Sequence, residues 1–347
     1  MIITFYDKNF NALQDNASLN VGEWSLTKRA VDYDDFTATC EPFLEKINPT
    51  FVVFKDDYGR YKYGAFAGIP ELTKDNQTKL QASDLKTIFN NEILAQFSSY
   101  TYLYNYFEDL FDAFDTQAVQ ESFTIEYDLS NITGISITDL APETDLKSYN
   151  VWEDCIVPYL KYYNIFIETS LNIKQKKIIF TLKLCNDKTI PLRLWEYDIK
   201  NYGKYITSIN ETQGVVIYNN TSYYGFKWIL TANNSITTAA TNRDLYPIKK
   251  KLVIKETEDP NEINQLKNEA NVEALKTLVE ARYQESFTIQ VDNDRRYNDV
   301  NFDTSFNVYS ERGQFYKFLP LGEIIENNKG QKTIKIGYKP DDIVYYI

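Results

Sequence analysis

The amino-acid sequence predicts a mainly β fold with inserted α+β parts and about three amphipathic helices. Short segments in which apolar and polar residues alternate dominate the 347 residues, and turn residues separate them. Three stretches instead have apolar residues at helical spacing. Hydrophobic residues make up 43% of the chain and aromatic residues 15%, which is enough to build a core in spite of a net charge of −12. The length predicts two or three domains.

The first domain is predicted at the beginning of the chain. Residues 51–54 and 61–66 are rich in β-branched and aromatic side chains, and Asp56 and Gly59 between them are turn residues. Further strands of the same kind precede and follow them. Residues 1–97 therefore predict an antiparallel barrel or sandwich.

Two helices are predicted between residues 98 and 163. Ser98 and Ser99 favour a helix N-terminus, and the residues after them form one apolar stripe that should face a core: Leu103, Phe107, Leu110, Phe111 and Phe114. The second helix is predicted from about Leu146 to Tyr163, with one apolar side: Trp152, Ile156, Leu160 and Tyr163. Pro158 has no amide hydrogen to donate, so we expect a kink there.

The third helix has the clearest start signal. Asp259 is an acidic N-cap, Pro260 occupies the first helical position, and Glu262 follows three residues after the cap. The helix is predicted to continue to about Tyr283. Its apolar residues share one side, so it is predicted to be amphipathic and to pack at the surface.

A near-repeat links two distant parts of the chain. Residues 120–128 and 284–292 both begin with Gln-Glu-Ser-Phe-Thr-Ile, and each follows a predicted helix. The Phe and Ile of the motif would share one face of a strand. The repeat therefore predicts two related domains. A match of this length can also arise by chance in a chain of this composition.

The lack of histidine limits the possible chemistry. The chain has 28 Tyr and 21 Phe but no His, and His is the side chain that titrates near neutral pH. Ser-His-Asp triads, Cys-His pairs and His-containing zinc sites are therefore excluded. A glycoside hydrolase needs only two carboxyl groups, and the nearest acidic pairs are Glu108 with Asp109 and Glu153 with Asp154. Each pair lies on the polar side of a predicted helix, which a solvated face explains.

Binding chemistry gives no clearer signal. Tyr and Trp could stack on sugars in a carbohydrate-binding module, although the 4 Trp and 28 Tyr are spread along the chain as core and interface residues are. Gly203 and Lys204 lack the glycine spacing of a phosphate-binding loop. We predict no catalytic, cofactor-binding or metal-binding residues.

The residue types that ligate metal ions form no recognisable metal-binding motif. Cys40, Cys155 and Cys185 are far apart and odd in number, so they are predicted to be buried small hydrophobic residues. One stretch is rich in oxygen ligands and could hold Ca²⁺, but it lacks the spacing of an EF-hand loop. We interpret it as a turn rich in Asp and Asn: Asp292, Asn293, Asp294, Asn298, Asp299 and Asp303.

Charge and targeting signals limit the partners. A net charge of −12 repels phosphate, so specific nucleic-acid recognition is not expected. The basic run Lys249, Lys250 and Lys251 is interpreted first as protection of a strand edge and second as a docking patch. Residues 1–7 resemble a first strand and not a signal peptide. No run of 18 apolar residues predicts a membrane-spanning helix, so a soluble protein is expected.

Three stretches carry a family resemblance. They are the opening strands with Asp34-Asp35-Phe36-Thr37-Ala38-Thr39, the run from Lys204 to Asn219 that contains Gly214-Val215-Val216-Ile217-Tyr218, and the helix-to-strand entry from Leu278 to Ile289. With these stretches the chain resembles the tail hub proteins of bacteriophages and prophages. The family includes the N-terminal structural module of the tail-associated lysins of long-tailed phages that infect Gram-positive hosts.

The resemblance implies two related antiparallel β-barrel domains with smaller inserted domains. On this basis residues 1–97 are expected to form the first barrel and residues 98–250 an inserted α+β and β-rich region. Residues 251–347 are expected to form a helix followed by the strands of the second barrel, which strands from the middle region complete.

The resemblance also implies a structural, non-enzymatic role. Three chains with two barrels each would form a pseudo-sixfold ring that docks on a hexameric distal tail protein. The tape measure protein and receptor-binding or fibre proteins are further expected partners. The expected location is the virion tail tip, after assembly in the host bacterial cytoplasm. Many relatives carry a lytic or fibre region after this module, whereas this sequence ends at Ile347, which puts lytic activity in doubt.

The charge fits such a role. A ring that lines or closes a DNA channel should let the duplex pass without holding it, and an acidic wall repels phosphate groups. The acidity could equally serve solubility alone.

Overall fold

The structure is a computed structural model that describes residues 1–337 with internal gaps. The residues left out within this range are 14–18, 41–48, 69, 74, 76, 119–122, 138–145, 186–187, 197–198, 205–208, 232–235, 240–247, 281–284, 292–296, 298–299 and 311–312.

The first half of the chain contributes ten strands and one α-helix in the described residues. The strands are β1 (Ile2–Tyr6), β2 (Leu19–Arg29), β3 (Asp35–Cys40), β4 (Phe51–Lys55), β5 (Tyr61–Ala67), β6 (Glu71–Leu72), β7 (Thr78–Ser83), β8 (Glu92–Ala95), β9 (Thr124–Asp128) and β10 (Lys147–Asn150). Helix α1 spans Leu103–Ala118, and a 3₁₀ helix spans Leu85–Phe89.

The second half adds two α-helices, α2 (Val157–Tyr163) and α3 (Ile263–Glu280). Its strands in the described residues are β11 (Ile165–Asn172), β12 (Lys177–Leu184), β13 (Lys188–Arg193), β14 (Ile199–Lys204), β15 (Glu211–Tyr218), β16 (Thr221–Leu230), β17 (Ile236–Thr237), β18 (Lys250–Glu256), β19 (Glu285–Gln290), β20 (Thr304–Ser310), β21 (Gly313–Asn327) and β22 (Lys332–Ile336). The predicted mainly β class, with its antiparallel sheets and three helices, is confirmed.

Six strands close into an antiparallel barrel within the first 83 residues. They pair in the order β1–β4–β5–β7–β3–β2, and β2 pairs again with β1. Alternate side chains point inward because successive residues of a strand face opposite sides. On β3, Phe36, Ala38 and Cys40 are buried, whereas Asp35 and Thr37 are exposed. Of the two predicted alternatives, the structure has the barrel.

A second β unit also has six strands, in the order β13–β20–β21–β22–β19–β14. Its pairings are antiparallel except for β13 with β20, which is parallel. Phe287, Ile289, Phe306, Leu319 and Ile334 lie in its core and are each at most 3% exposed. Strands β13 and β14 come from the middle of the sequence. The division of the chain into three domains stays a prediction.

Strand β21 joins the two units. Its first part pairs with β20, and its second part pairs with both β22 and β2 of the barrel, from Arg29 opposite Glu323 to Ser25 opposite Asn327. The Lys62 ammonium lies 2.7 Å from the Glu326 carboxylate across this junction. The two β units are therefore parts of one continuous sheet path.

The largest apolar cluster of the described residues lies around α1, α2 and the sheet β11–β12–β9. The predicted stripe of α1 is confirmed, since its members are each at most 2% exposed: Leu103, Phe107, Leu110, Phe111 and Phe114. The Phe111 ring stacks on Tyr127 of β9 with centroids 4.1 Å apart. Packing of aromatic rings in this cluster explains much of the chain's aromatic content.

The second predicted helix begins later than expected. The chain from Lys147 to Asn150 is strand β10, which pairs with β8, and a π-helical turn over Val151–Ile156 precedes α2. Tyr149 is buried opposite Ile93, so pairing with β8 outcompetes helix extension. Pro158 lies in the first turn of α2, directly after the π-helical turn gives way to α geometry, and the expected kink there stays a prediction.

The third predicted helix is confirmed at its start. The Asp259 carboxylate accepts a hydrogen bond of 2.8 Å from the Asn261 amide, and Pro260 follows the cap. Helix α3 ends at Glu280, and Tyr283 lies outside the described residues. The helix packs on β15, β16 and β18, and its Ala274 carbonyl accepts a 2.7 Å hydrogen bond from the Thr212 hydroxyl of β15.

The two copies of the near-repeat follow helices as predicted, but their strands have different neighbours. In the described part of the chain, β9 is an edge strand that pairs in parallel with β12, whereas β19 lies between β14 and β22 and pairs antiparallel with both. The first three residues of the first copy, and Gln284 and Asp292 at the ends of the second, lie outside the described residues. A structural relation between the two domains stays a prediction.

Candidate interaction surfaces

The acidic pairs weighed as glycosidase carboxylates have local structural roles. Glu108 and Asp109 are exposed on α1, and the Asp109 carboxylate accepts a 2.8 Å hydrogen bond from the Tyr100 hydroxyl. The Asp154 carboxylate accepts a 2.8 Å bond from the Asn150 amide, at the start of the π-helical turn. The structure therefore places each pair on an exposed helical surface, as the sequence predicted.

The candidate metal ligands are dispersed in the described residues. Cys40, Cys155 and Cys185 are buried, as predicted. Of the oxygen-rich stretch, only Asp303 is described, and its carboxylate lies 3.2 Å from the Lys188 ammonium; the other five residues lie outside the described part. Within that part, no three Asp, Glu or Cys side chains are grouped as a metal site would require.

A buried ionic cluster lies where the β2–β3 turn meets the end of β7. The Lys86 ammonium is 3.2 Å from Asp34 Oδ1 and 3.1 Å from Asp84 Oδ2. It also donates to the backbone carbonyls of Arg29 (2.9 Å) and Asp32 (2.5 Å). Lys86 is 1% exposed and Asp84 is fully buried. Four oxygen acceptors therefore replace the water that the ammonium would otherwise bind.

The environment of this cluster shifts its protonation. Burial is the main cause that raises the pKa of Asp34 to about 6, and the neighbouring Asp84 charge adds to it, while Lys86 acts in the opposite direction. Burial lowers the pKa of Lys86, but Asp34 and Asp84 outweigh that effect and raise it overall. Sequence analysis missed this cluster because its residues lie up to 57 positions apart and have no motif spacing. Because the cluster connects the β2–β3 turn to the end of β7 within the first barrel, we interpret its role as structural.

In the sheet that carries α3, the face opposite the helix, which we call the open face, has several exposed apolar side chains among the described residues. The strand order of the sheet is β17–β16–β15–β18. Thr212 on β15 faces α3 through its hydrogen bond to the helix, so Gln213, Val215 and Ile217 of the same strand lie on the other face. Val215 pairs with Tyr224 of β16 and with Ile254 of β18, which places these side chains on the same open face.

This open face combines an apolar half with a charged half. Tyr224 is 58% exposed, Ile254 51% and Leu252 42%, which is unusual for large apolar side chains that lie side by side. At the other end of the face, the Lys250 ammonium lies 2.8 Å from Gln213 Oε1 and 3.7 Å from Glu211. Such a face is typical of a protein-protein contact surface.

Strand β18 also forms one edge of this sheet in the described residues. The run Lys249, Lys250 and Lys251 therefore lies at a strand edge, where the sequence placed it. An edge strand has an unpaired row of backbone donors and acceptors, and lysines oppose unwanted pairing there.

Comparison with known proteins gives matches to solved structures. No protein-family model matches the chain, and no curated protein matches it. The prophage tail protein gp18 of Listeria monocytogenes EGD-e is similar with a TM-score of 0.57 and 9% identity, over 99% of this chain and 96% of that one. The 43 kDa tail protein of prophage MuSo2 from Shewanella oneidensis has a TM-score of 0.55 and 10% identity, over 99% of this chain and 100% of that one.

A third similar structure comes from another bacterium. The tail protein of Neisseria meningitidis MC58 has a TM-score of 0.52 and 10% identity, over 92% of this chain and 95% of that one. The chain has the fold of these prophage tail proteins. The predicted resemblance to phage tail proteins is therefore confirmed at the level of the fold.

The residues that carried the resemblance are described in part, and residues 281–284 of the third stretch lie outside the described residues. Residues 34–39 enter and form β3 of the closed barrel, and residues 214–219 form most of β15 and the turn after it. Residues 205–208 lie outside the described part of the chain. Among the described residues, none of the helices has the length and hydropathy that crossing a bilayer requires.

Proposed function

We propose that the protein is a structural component of a phage or prophage tail. The observation that carries the proposal is the fold likeness, which extends over 92–99% of this chain and 95–100% of three tail proteins. A match that covers whole chains supports a shared role better than a match of one common domain. The proposed location is the virion tail tip, after assembly in the host bacterial cytoplasm.

We further propose that three copies form a ring at the tail tip as a baseplate hub. Each chain has two six-stranded β units joined through β2 and β21, so a trimer would present six such units. A threefold ring with this duplication can match a hexameric distal tail protein. The proposed domain division, with residues 1–97 and 251–347 forming the two barrel-type domains around residues 98–250, belongs to this proposal.

The ring would join the tail tube to the tip and line or close the DNA channel. The tape measure protein and receptor-binding or fibre proteins are its further proposed partners. The net charge of −12 supports passage of DNA without retention. We assign no catalytic residues, because the acidic pairs on α1 and the π-helical turn are exposed and serve local hydrogen bonds.

Immunogold electron microscopy tests the location. Antibodies against this chain should label phage particles from the strain that encodes it at the tail end opposite the head, and antibody absorbed with purified protein should not. Label on the capsid, or particles without label, would contradict the proposal. Incubation of the protein with host cell wall should release no reducing sugar above buffer, and release would favour a glycosidase instead.

A further inference from the structure

The open face carries apolar side chains that the single chain leaves in contact with solvent. Tyr224, Leu252 and Ile254 are each more than 40% exposed, although the backbone of each belongs to a strand. Strand pairing places Tyr224 and Ile254 on either side of Val215. Side chains on a fixed backbone lose little freedom when a partner covers them, so this half of the face has the properties of a docking surface.

A second exposed apolar patch lies on the outer face of the sheet that β8 and β10 form. Leu94 of β8 is 57% exposed, and Leu146, directly before β10, is 62% exposed. Leu94 pairs with Ser148, and Leu146 precedes Ser148 by two residues, so alternation places both leucines on one face. Ile93 and Ala95 are buried on the other face. We call this outer face the β8 patch.

The backbone of Leu94 is held on both sides. On one side it pairs with Ser148 of β10. On the other side, the side-chain amide of Gln117 in α1 accepts a hydrogen bond of 2.9 Å from the Leu94 amide and donates one of 2.9 Å to its carbonyl. The strand edge is therefore satisfied at this residue while the leucine side chain remains exposed. The side chain, and not the strand edge, is available for a contact.

The open face is locally positive next to its apolar half. The ammonium groups of Lys227 and Lys250 lie 3.8 Å and 3.7 Å from the Glu211 carboxylate. Glu211 is only 3% exposed, so two partly exposed cations surround one buried anion. Two copies of a chain with a net charge of −12 repel each other overall. A locally positive surface is therefore a favourable place for one copy to meet another.

The β8 patch is acidic next to its leucines. Glu92 is exposed and belongs to the same face, two residues before the exposed leucine of β8. Asp154 is exposed at the same end, because it accepts a hydrogen bond from the Asn150 amide and Asn150 pairs with Glu92. Lys147 belongs to the other face, where its ammonium lies 5.1 Å from the Tyr149 ring centre. The β8 patch and the open face therefore have opposite charge beside their apolar parts.

We propose that the open face of one copy packs on the β8 patch of a neighbouring copy. In this contact the apolar halves meet, and Lys250 lies near Glu92. A second copy is the occupant because each chain carries both complementary surfaces, and both remain exposed within the single chain. A contact of this kind is heterologous, and it closes into a ring when the rotation between copies permits. The inference rests on the proposed ring and identifies one of its contacts.

Chemical cross-linking between two different single variants tests which surfaces meet. An Ile254→Cys chain and a Leu94→Cys chain, with tags of different size, are mixed and treated with a short bismaleimide. We expect about tenfold more mixed covalent dimer than from Ile254→Cys with Tyr58→Cys, since association raises the local thiol concentration. Tyr58 is 85% exposed and belongs to neither surface. The native cysteines are buried, and the wild type treated in the same way gives the background.

Substitutions of the exposed apolar residues test the energetics of the contact. Leu94→Asp and Ile254→Asp should each weaken self-association by about tenfold or more, because each places a carboxylate in an apolar contact. Leu72→Asp is the matched control, since Leu72 is 64% exposed on β6 and belongs to neither surface. Sedimentation velocity at increasing concentration measures association, with and without the distal tail protein. Circular dichroism should show all three variants folded, because the native side chains are exposed.

A charge reversal tests the polar part of the contact. Glu92→Lys should weaken self-association by about tenfold at low salt, because it places a cation opposite Lys250. Glu71→Lys changes the net charge by the same amount at an exposed residue of β6 and should not weaken association. The difference between the two variants should shrink at about 1 M salt, where exposed charges are screened.

The outcomes separate this inference from the ring itself. A wild type that assembles while Leu94→Asp and Ile254→Asp assemble as well as Leu72→Asp would overturn the inference and leave the ring with other contacts. A yield of mixed dimer no greater than that with Tyr58→Cys would overturn the pairing of these two surfaces. A wild type that stays a single chain with and without the distal tail protein would count against both the ring and this contact.

Discussion

Gly214 of β15 touches the backbone of Ala270 in α3. A β-carbon at Gly214 would lie 2.6 Å from the Ala270 carbonyl carbon, which is too close for two non-bonded atoms. Because this neighbour is helix backbone, it cannot move aside as the end of a flexible side chain could. The absence of a side chain at this residue lets the helix lie directly on the sheet. The position of α3, and with it the open face on the opposite side, depends on this contact.

Gly214→Ala should therefore destabilise the protein by about 1–3 kcal/mol, since helix and sheet must separate to admit the methyl group. Gly134→Ala is the matched control, because a β-carbon there has no neighbour within 4 Å, and it should change the free energy of unfolding by less than about 0.5 kcal/mol. Urea denaturation followed by circular dichroism measures both. Equal stability of the two variants would contradict the close contact.

Lys86→Met removes the cation from between two buried carboxylates. We expect a loss of about 3–5 kcal/mol in the free energy of unfolding, because Asp34 and Asp84 would remain buried without their partner. Lys177→Met breaks a largely exposed pair with Glu126 and should cost less than about 1 kcal/mol. Chemical denaturation at neutral pH distinguishes the two. A loss at Lys86 as small as that at Lys177 would show that the cluster is solvated.

The protonation of Asp34 predicts a pH dependence of stability. Its pKa rises from 3.8 to about 6 on folding, chiefly through burial and then through the Asp84 charge. The folded state therefore holds this proton more tightly, so the stabilisation is complete below about pH 4 and is lost as the pH rises through about 6. Between pH 7.5 and pH 4, the free energy of unfolding of the wild type should therefore rise by on the order of 2 kcal/mol relative to that of Asp34→Asn.

Urea titrations of both proteins at four pH values measure this difference. The amide of Asp34→Asn retains an oxygen that can accept from the Arg29 amide and from Lys86, as Oδ1 does now. Asp57→Asn at an exposed residue is the control for pH effects elsewhere in the chain. A constant difference between wild type and Asp34→Asn across this range would contradict a buried, shifted carboxyl group at Asp34.

The proposed channel role predicts that the protein does not retain duplex DNA. With a net charge of −12, a mobility-shift assay at about 0.1 M salt should show no complex, because few counterions could be released. A basic DNA-binding protein of similar size serves as the positive control. A firm, salt-sensitive complex would contradict an acidic channel wall.

Local signals explain which parts of the fold were predictable. The stripe from Leu103 to Phe114 and the cap at Asp259 depend on residues within a few positions, and both were predicted. The start of the first helix was predicted too early, since α1 begins at Leu103 and not directly after Ser98 and Ser99. Residues Lys147–Asn150 were predicted to be helical but form a strand. The strand was missed because its pairing partner, β8, lies more than 50 residues away in the sequence. No periodicity within the segment reveals such a partner.

Long-range contacts set the remaining features. The cluster around Lys86 joins the β2–β3 turn to the end of β7, and neither segment has a signal of its own. The open face was visible in sequence only as the lysine run before Leu252. Helix α3 covers one side of β18. The contacts of Thr212 and Gly214 on the neighbouring strand β15 determine which side this is, and the sequence of β18 does not contain that information.

The mass of the assembled protein in solution tests the trimeric ring most directly. Light scattering at increasing concentration, combined with negative-stain class averages, should give a mass of about three times 40.6 kDa and threefold particles with a central opening. The same measurement is repeated in the presence of the distal tail protein, because this covers a ring that requires its partner in order to assemble. A single-chain mass under both conditions, or a twofold dimer, would contradict the ring.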